Sequence, residues 1–260
     1  METTRMQLLI DAGNTRIKWA LPGPAVAAGA APVWQHIGSV SHADMDSLAL
    51  AWQGLPFDSA LISNVAGASV REKLTGLLQS LQPAIRLDWF TSQAQIAGIH
   101  NTYRNPAQLG CDRLASTIAA HYLFPQQDLI VATCGTATTV DAVTADGKFK
   151  GGMILPGLKL MAQSLARNTA QLPQVAESTD ISKIFADNTD QAIVSGCISA
   201  QVGAIQHAVH SLAQQENRAI HCVISGGAAP YLTGHLGIPY HYVDNLVLTG
   251  LFVVAQSSPG

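Results

Sequence analysis

An apolar run, a glycine turn and an alternating return strand occur twice in this chain, and that recurrence constrains the fold most. The first copy starts with Met6 to Ile10, interrupted only by Gln7, and reaches Asp11. It turns at Gly13-Asn14 and returns through Arg16-Ile17-Lys18-Trp19. Gly and Asn both tolerate positive φ, so a tight hairpin is predicted there. The second copy is Leu129-Ile130-Val131-Ala132, then Thr133-Cys134-Gly135-Thr136-Ala137-Thr138-Thr139-Val140-Asp141, then a third strand from Lys148 to Leu155. A degenerate repeat of this kind predicts two similar halves, although strand–glycine–strand patterns also coincide by chance.

The remaining segments fill in an α/β pattern. Strands are predicted at Val33 to Val40, Ala60 to Val65, Ile85 to Trp89 and Cys222 to Ser225, and a loop from Leu21 to Pro32. Helices are predicted at Ser41 to Gln53 and at Ala66 to Gln82, where Val70, Leu74, Leu77, Leu78 and Leu81 have helical spacing. Pro106 opens another helix running to about Phe124, since its missing N–H costs nothing at a first helical position. Pro156-Gly157 starts a helix carrying Leu158, Met161 and Leu165. Asn188-Thr189 caps a long one through about Gln215, whose small residues Gly196, Ser199, Ala200 and Gly203 suit a subunit or domain interface. Gly226-Gly227-Ala228 leads into a further helix start, and Ser257 to Gly260 is expected to fray. The halves are expected at 1–125 and 126–260.

Bulk properties exclude several classes. With 260 residues, 48% hydrophobic and 12% charged, the chain is long and apolar enough for a large core. A net charge of −3 gives no global electrostatic case for nucleic acid or an anionic membrane. Cys111, Cys134, Cys197 and Cys222 are widely separated, without zinc or CxxC spacing, as in a reduced cytosolic protein. Met6 to Ile10 is too short for a secretory h-region, and the apolar run Leu246 to Ala255 is too short to span a bilayer. A soluble cytoplasmic protein is expected.

Asp11, Ala12, Gly13, Asn14, Thr15, Arg16, Ile17 and Lys18 bring backbone donors, a hydroxyl, a cation and a carboxylate together. A nucleoside triphosphate with Mg²⁺ calls for that set; an ordinary polar hairpin also fits it. Three strand exits carry glycine: Asp11-Ala12-Gly13, Gly135-Thr136 and Ser225-Gly226-Gly227-Ala228. Each allows close backbone approach to a ligand. No P-loop or GxGxxG fingerprint is present. Three loops closing on one nucleotide is the pattern of the actin, Hsp70 and sugar-kinase superfamily, which binds ATP between two ribonuclease-H-like halves. A second polar cluster is Tyr103-Arg104-Asn105-Pro106-Ala107-Gln108-Leu109-Gly110-Cys111-Asp112-Arg113. Asp112 could deprotonate a hydroxyl attacking a γ-phosphate, with Arg113 and Tyr103 holding the substrate; a surface Asp–Arg pair is the alternative.

Five motifs occur in order: Asp11-x-Gly-Asn-Thr-x-x-Lys18, Tyr103 with Gly110-x-Asp112-Arg113, Gly135-Thr136-Ala137-Thr138-Thr139-x-Asp141, Gly152-x-Ile154-x-Pro156-Gly157, and Ser225-Gly226-Gly227. Together, from Leu8 to Leu251, they resemble type III pantothenate kinase, a family some of whose members are labelled accessory factors of a virulence regulator. The resemblance implies ATP-dependent phosphorylation of pantothenate in a homodimer, with Asp112 as general base. It implies that Asp11 through Lys18 form a first phosphate loop, with Asp11 near Mg²⁺, and that Thr136 contacts ATP from a second. Gly226 and Gly227 would border the adenosine. Tyr103 and Gly110, Cys111, Asp112 and Arg113 would hold pantothenate, and Thr189 would reach it; Thr189 also fits a plain helix cap.

The family usually has Asp two residues before the second-loop glycine, where it helps bind a monovalent cation such as K⁺ or NH₄⁺. Here Thr133 stands there, a weaker cation ligand, so less K⁺ dependence is expected. Asp141 is expected at a strand end beyond the motif and does not replace that ligand. His207 and His210 are three apart without an evident third ligand, and Trp19, Trp34, Trp52 and Trp89 read as core or rim aromatics. A kinase of another small hydroxy acid and a non-catalytic regulatory protein remain alternatives.

Overall fold

A computed structural model describes residues 6–24, 27, 29–168 and 183–257. The chain forms two compact units, Met1–Pro125 with Leu246–Gly260, and Gln126–Asn245.

The first unit contains β1 (Met6–Ala12), β2 (Arg16–Pro22), β3 (Trp34–Ser41), α1 (Ser47–Trp52), β4 (Phe57–Asn64), α2 (Ala68–Leu81) and β5 (Arg86–Trp89). A short hairpin of β6 (Gln95–Ile96) and β7 (Ile99–Asn101) precedes α3 (Cys111–Leu123). Its five-stranded sheet has the order β3-β2-β1-β4-β5. The first three strands form an antiparallel meander, and β4 then pairs parallel with both β1 and β5. Leu8, Leu9 and Ile10 are all buried, as expected of an apolar strand covered on both faces. Ile10, Ile17, Ile62, Leu74 and Leu78 share one core with Trp19 and Trp52, whose rings meet edge-on at 6.2 Å. Trp34 and Trp89 are half-buried at the rim.

The second unit contains β8 (Leu129–Cys134), β9 (Ala137–Val143), β10 (Lys148–Pro156), α4 (Leu158–Asn168), α5 (Thr189–Glu216), β11 (His221–Ser225), α6 (Pro230–Thr233) and β12 (His241–Tyr242). Within this unit the strands run β12-β11-β8-β9-β10. An antiparallel meander is again followed by a strand, β11, parallel to its first strand, and by β12 parallel to β11. The repeat legible in the sequence is therefore a repeat of topology. Asn188 caps α5, its side chain accepting from Gln191 N–H at 3.0 Å. By length and composition α5 could cross a bilayer, but Ile198, Val202, Ile205 and Leu212 bury it in the core of this unit.

The last helix, α7 (Leu246–Ser257), corrects the expected boundary, because it belongs to the first unit. Gly250 permits this: a Cβ there would lie 1.9 Å from the Ala115 carbonyl oxygen on α3, so the two helices are close-packed through a missing side chain. Two predicted helices are also shorter than expected. Ser41 to Gln53 breaks into a single 3-10 turn, His42–Asp44, and α1. Pro106 opens only the 3-10 turn Pro106–Gln108, and α3 begins at Cys111. There the Asn101 side chain donates to the Pro106 carbonyl at 3.1 Å, and Leu109 turns extended. The expected frayed tail lies outside the described residues beyond Ser257, as do 25, 26 and 28 of the expected loop.

Candidate active site

In the first unit the site is built on a row across the sheet. Asp11 pairs with Lys18 on β2 and with Ser63 on β4, and paired residues share a face. The loop between β1 and β2 is closed by Gly13 N–H donating to the Arg16 carbonyl at 3.1 Å. Neither Gly13 nor Asn14 has positive φ, which corrects the expected turn: three residues separate the strands, so a two-residue turn is not required. Asn14, Thr15 and Arg16 are exposed, whereas Ala12 and Ile17 are buried in the core and contribute backbone only.

The first turn of α3 completes this cluster. Cys111 Sγ lies 3.3 Å from Ser63 Oγ, which ties the helix start to the strand carrying the Asp11 partner. Asp112 Oδ1 accepts from Arg113 N–H at 2.8 Å. A Cβ on Gly110 would lie 2.6 Å from that same oxygen, so the carboxylate occupies space that only glycine leaves. Arg113 is buried at 7% exposure and donates from Nη1 to Tyr103 Oη at 3.1 Å. This contradicts a loose surface Asp–Arg pair, since the guanidinium is anchored in the protein. Asn101, also buried, accepts from Tyr103 N–H at 3.1 Å and fixes that loop.

Electrostatics mark the same residues. Asp11 is pushed up to about 7, by burial first and by the Asp112 charge second, with Lys18 opposing both. Burial likewise raises the Asp112 carboxyl, against the Arg113 N–H and guanidinium that lower it. The Cys111 thiol is raised by burial, so it is not a nucleophilic thiolate. Two neighbouring carboxylates are thus destabilised in their charged forms, which a nearby cation or a bound proton would relieve.

The second unit brings its glycine exits together through backbone. Gly226, at φ +97°, sits where a Cβ would lie 2.2 Å from the Cys134 carbonyl oxygen. A Cβ on Gly157 would lie 2.1 Å from the Gly135 carbonyl. Gly157 N–H donates to Thr136 at 2.9 Å, and Ala228 N–H to Cys134 at 3.0 Å. The loop carrying Thr136 is thus clasped between Gly157 and the Gly226-Gly227 turn. Gly135, Thr136 and Gly227 remain exposed.

Thr133 Oγ1 is buried and has no hydrogen-bond partner among the described residues. Asp141 lies inside β9 opposite Val131, not at a strand end. Thr189 is the first residue of α5, exposed, on an apolar groove of about 820 Å³ between α4 and α5. His207 and His210 join no group of metal-ligating residues among the described residues.

The sequence reading missed Ser63, Asn64 and Asn101. A structural signal exists for the first two, because they end the parallel neighbour of β1, where open α/β sheets bind ligands. Asn64 shapes that exit by accepting from Ala66 N–H at 2.9 Å. Asn101 carries no local signal.

The family model described as type III pantothenate kinase matches residues 7–211. A type III pantothenate kinase of Janthinobacterium sp. (strain Marseille) is 53% identical over 258 residues, covering 98% of this chain and 99% of the relative. That of Herminiimonas arsenicoxydans is 52% identical over 252 residues, covering 96% and 97%. Among solved structures, a glucokinase from an Antarctic psychrotroph superposes with a TM-score of 0.56 at 14% identity, covering 98% of this chain and all of that one (100%). That likeness shows that the chain shares an α/β fold with this glucokinase.

Proposed function

The chain belongs to the type III pantothenate kinase family, and from that premise we propose how its residues perform ATP-dependent phosphorylation of pantothenate, the first step of coenzyme A synthesis. The observation that carries the assignment is Asp112, held in the first turn of α3 beside the anchored Arg113–Tyr103 pair. Asp112 is the general base. It takes the hydroxyl proton of pantothenate as that oxygen bonds to the γ-phosphorus and the bond to the departing ADP oxygen breaks. Its burial makes it a stronger base than an ordinary carboxylate. Arg113 and Tyr103 orient pantothenate, with Gly110 and Cys111 lining its place.

Asp11 through Lys18 hold phosphate oxygens, Thr136 contacts ATP, and Gly226 and Gly227 border the adenosine. Asp11 fits a Mg²⁺ ligand, because a carboxylate raised by burial and a second carboxylate is relieved by a divalent cation. Mg²⁺, when bound, neutralises charge on the phosphates. The second loop does not fit a carboxylate-based monovalent cation site: Thr133 offers a neutral hydroxyl, buried and without a hydrogen-bond partner among the described residues. K⁺ or NH₄⁺ therefore stimulates turnover weakly.

Leu160 and Leu165, 43% and 39% exposed, border the groove that carries Thr189. That apolar face supports a homodimer in which Thr189 reaches pantothenate; a soluble cytoplasmic location, without nucleic-acid or membrane partners, is proposed from the net charge of −3 and the family. ADP release by the purified protein with ATP, Mg²⁺ and pantothenate tests the reading. Pantothenate-dependent turnover is expected. Turnover with a different hydroxy acid only, or ATP binding without turnover, would overturn it in favour of another substrate or a regulatory role.

A further inference from the structure

We infer that His42 is a positioning residue for the nucleotide: it clamps Gly13, the first residue of the β1–β2 loop, and so sets the direction of the amide donor that follows it. The inference rests on the assignment of Asp11 through Lys18 as a phosphate loop. His42 Nε2 lies 2.8 Å from the Gly13 carbonyl oxygen. A carbonyl can only accept, so Nε2 carries the proton and donates. The Gly13–Asn14 peptide is planar and trans, with its C=O and N–H pointing in opposite directions. A carbonyl captured by His42 therefore turns the Asn14 N–H away from His42. One side-chain hydrogen bond thereby fixes the backbone donor of exposed Asn14 in a three-residue loop.

The fold explains how His42 arrives there. Arg16 pairs with Ser41, the last residue of β3, so the chain leaves the sheet beside the loop. The 3-10 turn that follows is braced by Ser41 Oγ donating to the Asp44 carboxylate at 2.7 Å and by Ser47 Oγ donating to the Asp44 carbonyl at 2.6 Å. The other shoulder of the loop is held from the same strand, by Arg16 Nε donating to Ser39 Oγ at 2.9 Å. The end of β3 thus grips both ends of the loop, and His42 is the grip on the glycine, where the backbone is most free to turn.

Calorimetric binding of MgATP and steady-state kinetics on the full-length protein test this with His42→Ala, His42→Gln and, as a control on the loop itself, Lys18→Met. His42→Ala is expected to weaken MgATP about 10-fold, the scale of one lost positioning hydrogen bond. The KM for pantothenate and the thermal midpoint should stay near wild type. His42→Gln, whose amide N–H also donates, should recover most of the loss. Unchanged MgATP affinity in His42→Ala while Lys18→Met binds poorly would overturn the clamp alone. Equal losses for ATP, pantothenate and thermal stability, not recovered by His42→Gln, would reduce His42 to a structural role. Full MgATP affinity in Lys18→Met would instead remove the phosphate-loop assignment beneath it.

Discussion

The two units share one strand order and furnish it with opposite materials. The first carries side chains on its sheet, on the start of α3 and on the loop before it: Asp11, Lys18, Asp112, Arg113 and Tyr103. The second offers backbone, with Gly157 and Gly226 clasping the loop from Cys134 to Thr136 so closely that a methyl group has no room at either glycine. Under the proposed function, the difference matches what each end of the reactants needs. Proton removal and charge neutralisation require titratable groups in a desolvated setting. A purine and its sugar need a surface that can be approached closely. The shared strand order supplies the scaffold, and under the proposed function the loops divide the work.

Gly226→Ala should strike the backbone side hardest. It places a Cβ 2.2 Å from the Cys134 carbonyl at φ +97°, and such strain costs about 3 kcal/mol. A lower thermal midpoint and MgATP binding weakened by roughly 30-fold or more are expected, by differential scanning fluorimetry and calorimetry. A variant as stable and as tight as wild type would remove the clasp from the account. Asp11→Asn should act in the other direction on stability. Asp11 has a folded pKa of about 7 against an ordinary 3.8, so the folded chain binds the proton more tightly than the unfolded one. Its contribution is fully present below the unfolded value and is lost as pH rises through about 7. Ligand-free wild type should melt lower at pH 8 than at pH 5.5, and Asp11→Asn should lack that part of the fall while losing turnover. Parallel melting curves would contradict the desolvated carboxylate.

Tyr103→Phe removes the acceptor of Arg113 and should raise the KM for pantothenate about 5-fold, leaving that for ATP alone. An effect on ATP instead would break the assignment of Tyr103 to the pantothenate side of the first unit. The smallest effect is expected from Thr133→Asp, which installs a carboxylate at the buried hydroxyl. K⁺ stimulation of ADP release should rise about 2- to 3-fold over wild type; equal stimulation in both would sever Thr133 from cation use.

Much of this was legible in the residues because local pattern and tertiary role agreed. Leu129 to Ala132 is apolar because β8 is buried, and Asn188 reads as a cap because its side chain bonds Gln191 N–H. Gly226 announced a close approach, although not which backbone it meets. What was hidden depended on distant partners. The placement of α7 turns on Gly250 meeting Ala115, and the shortened helix after Pro106 on Asn101 reaching across from β7. His42 lies beyond a strand end with no motif around it, and only the β2–β3 register brings it to Gly13. The hairpin reading of Gly13-Asn14 placed the loop correctly but not its geometry, because positive φ is permitted by those residues, not required.

The most direct test of the central claim is kcat together with MgATP affinity for Asp112→Asn. The amide keeps the shape of the side chain and cannot accept the proton. The account predicts kcat lower by roughly 10²–10⁴-fold with MgATP affinity near wild type. Wild-type kcat in Asp112→Asn would show that the proton leaves by another route and that the first unit does not carry the chemistry in the way described.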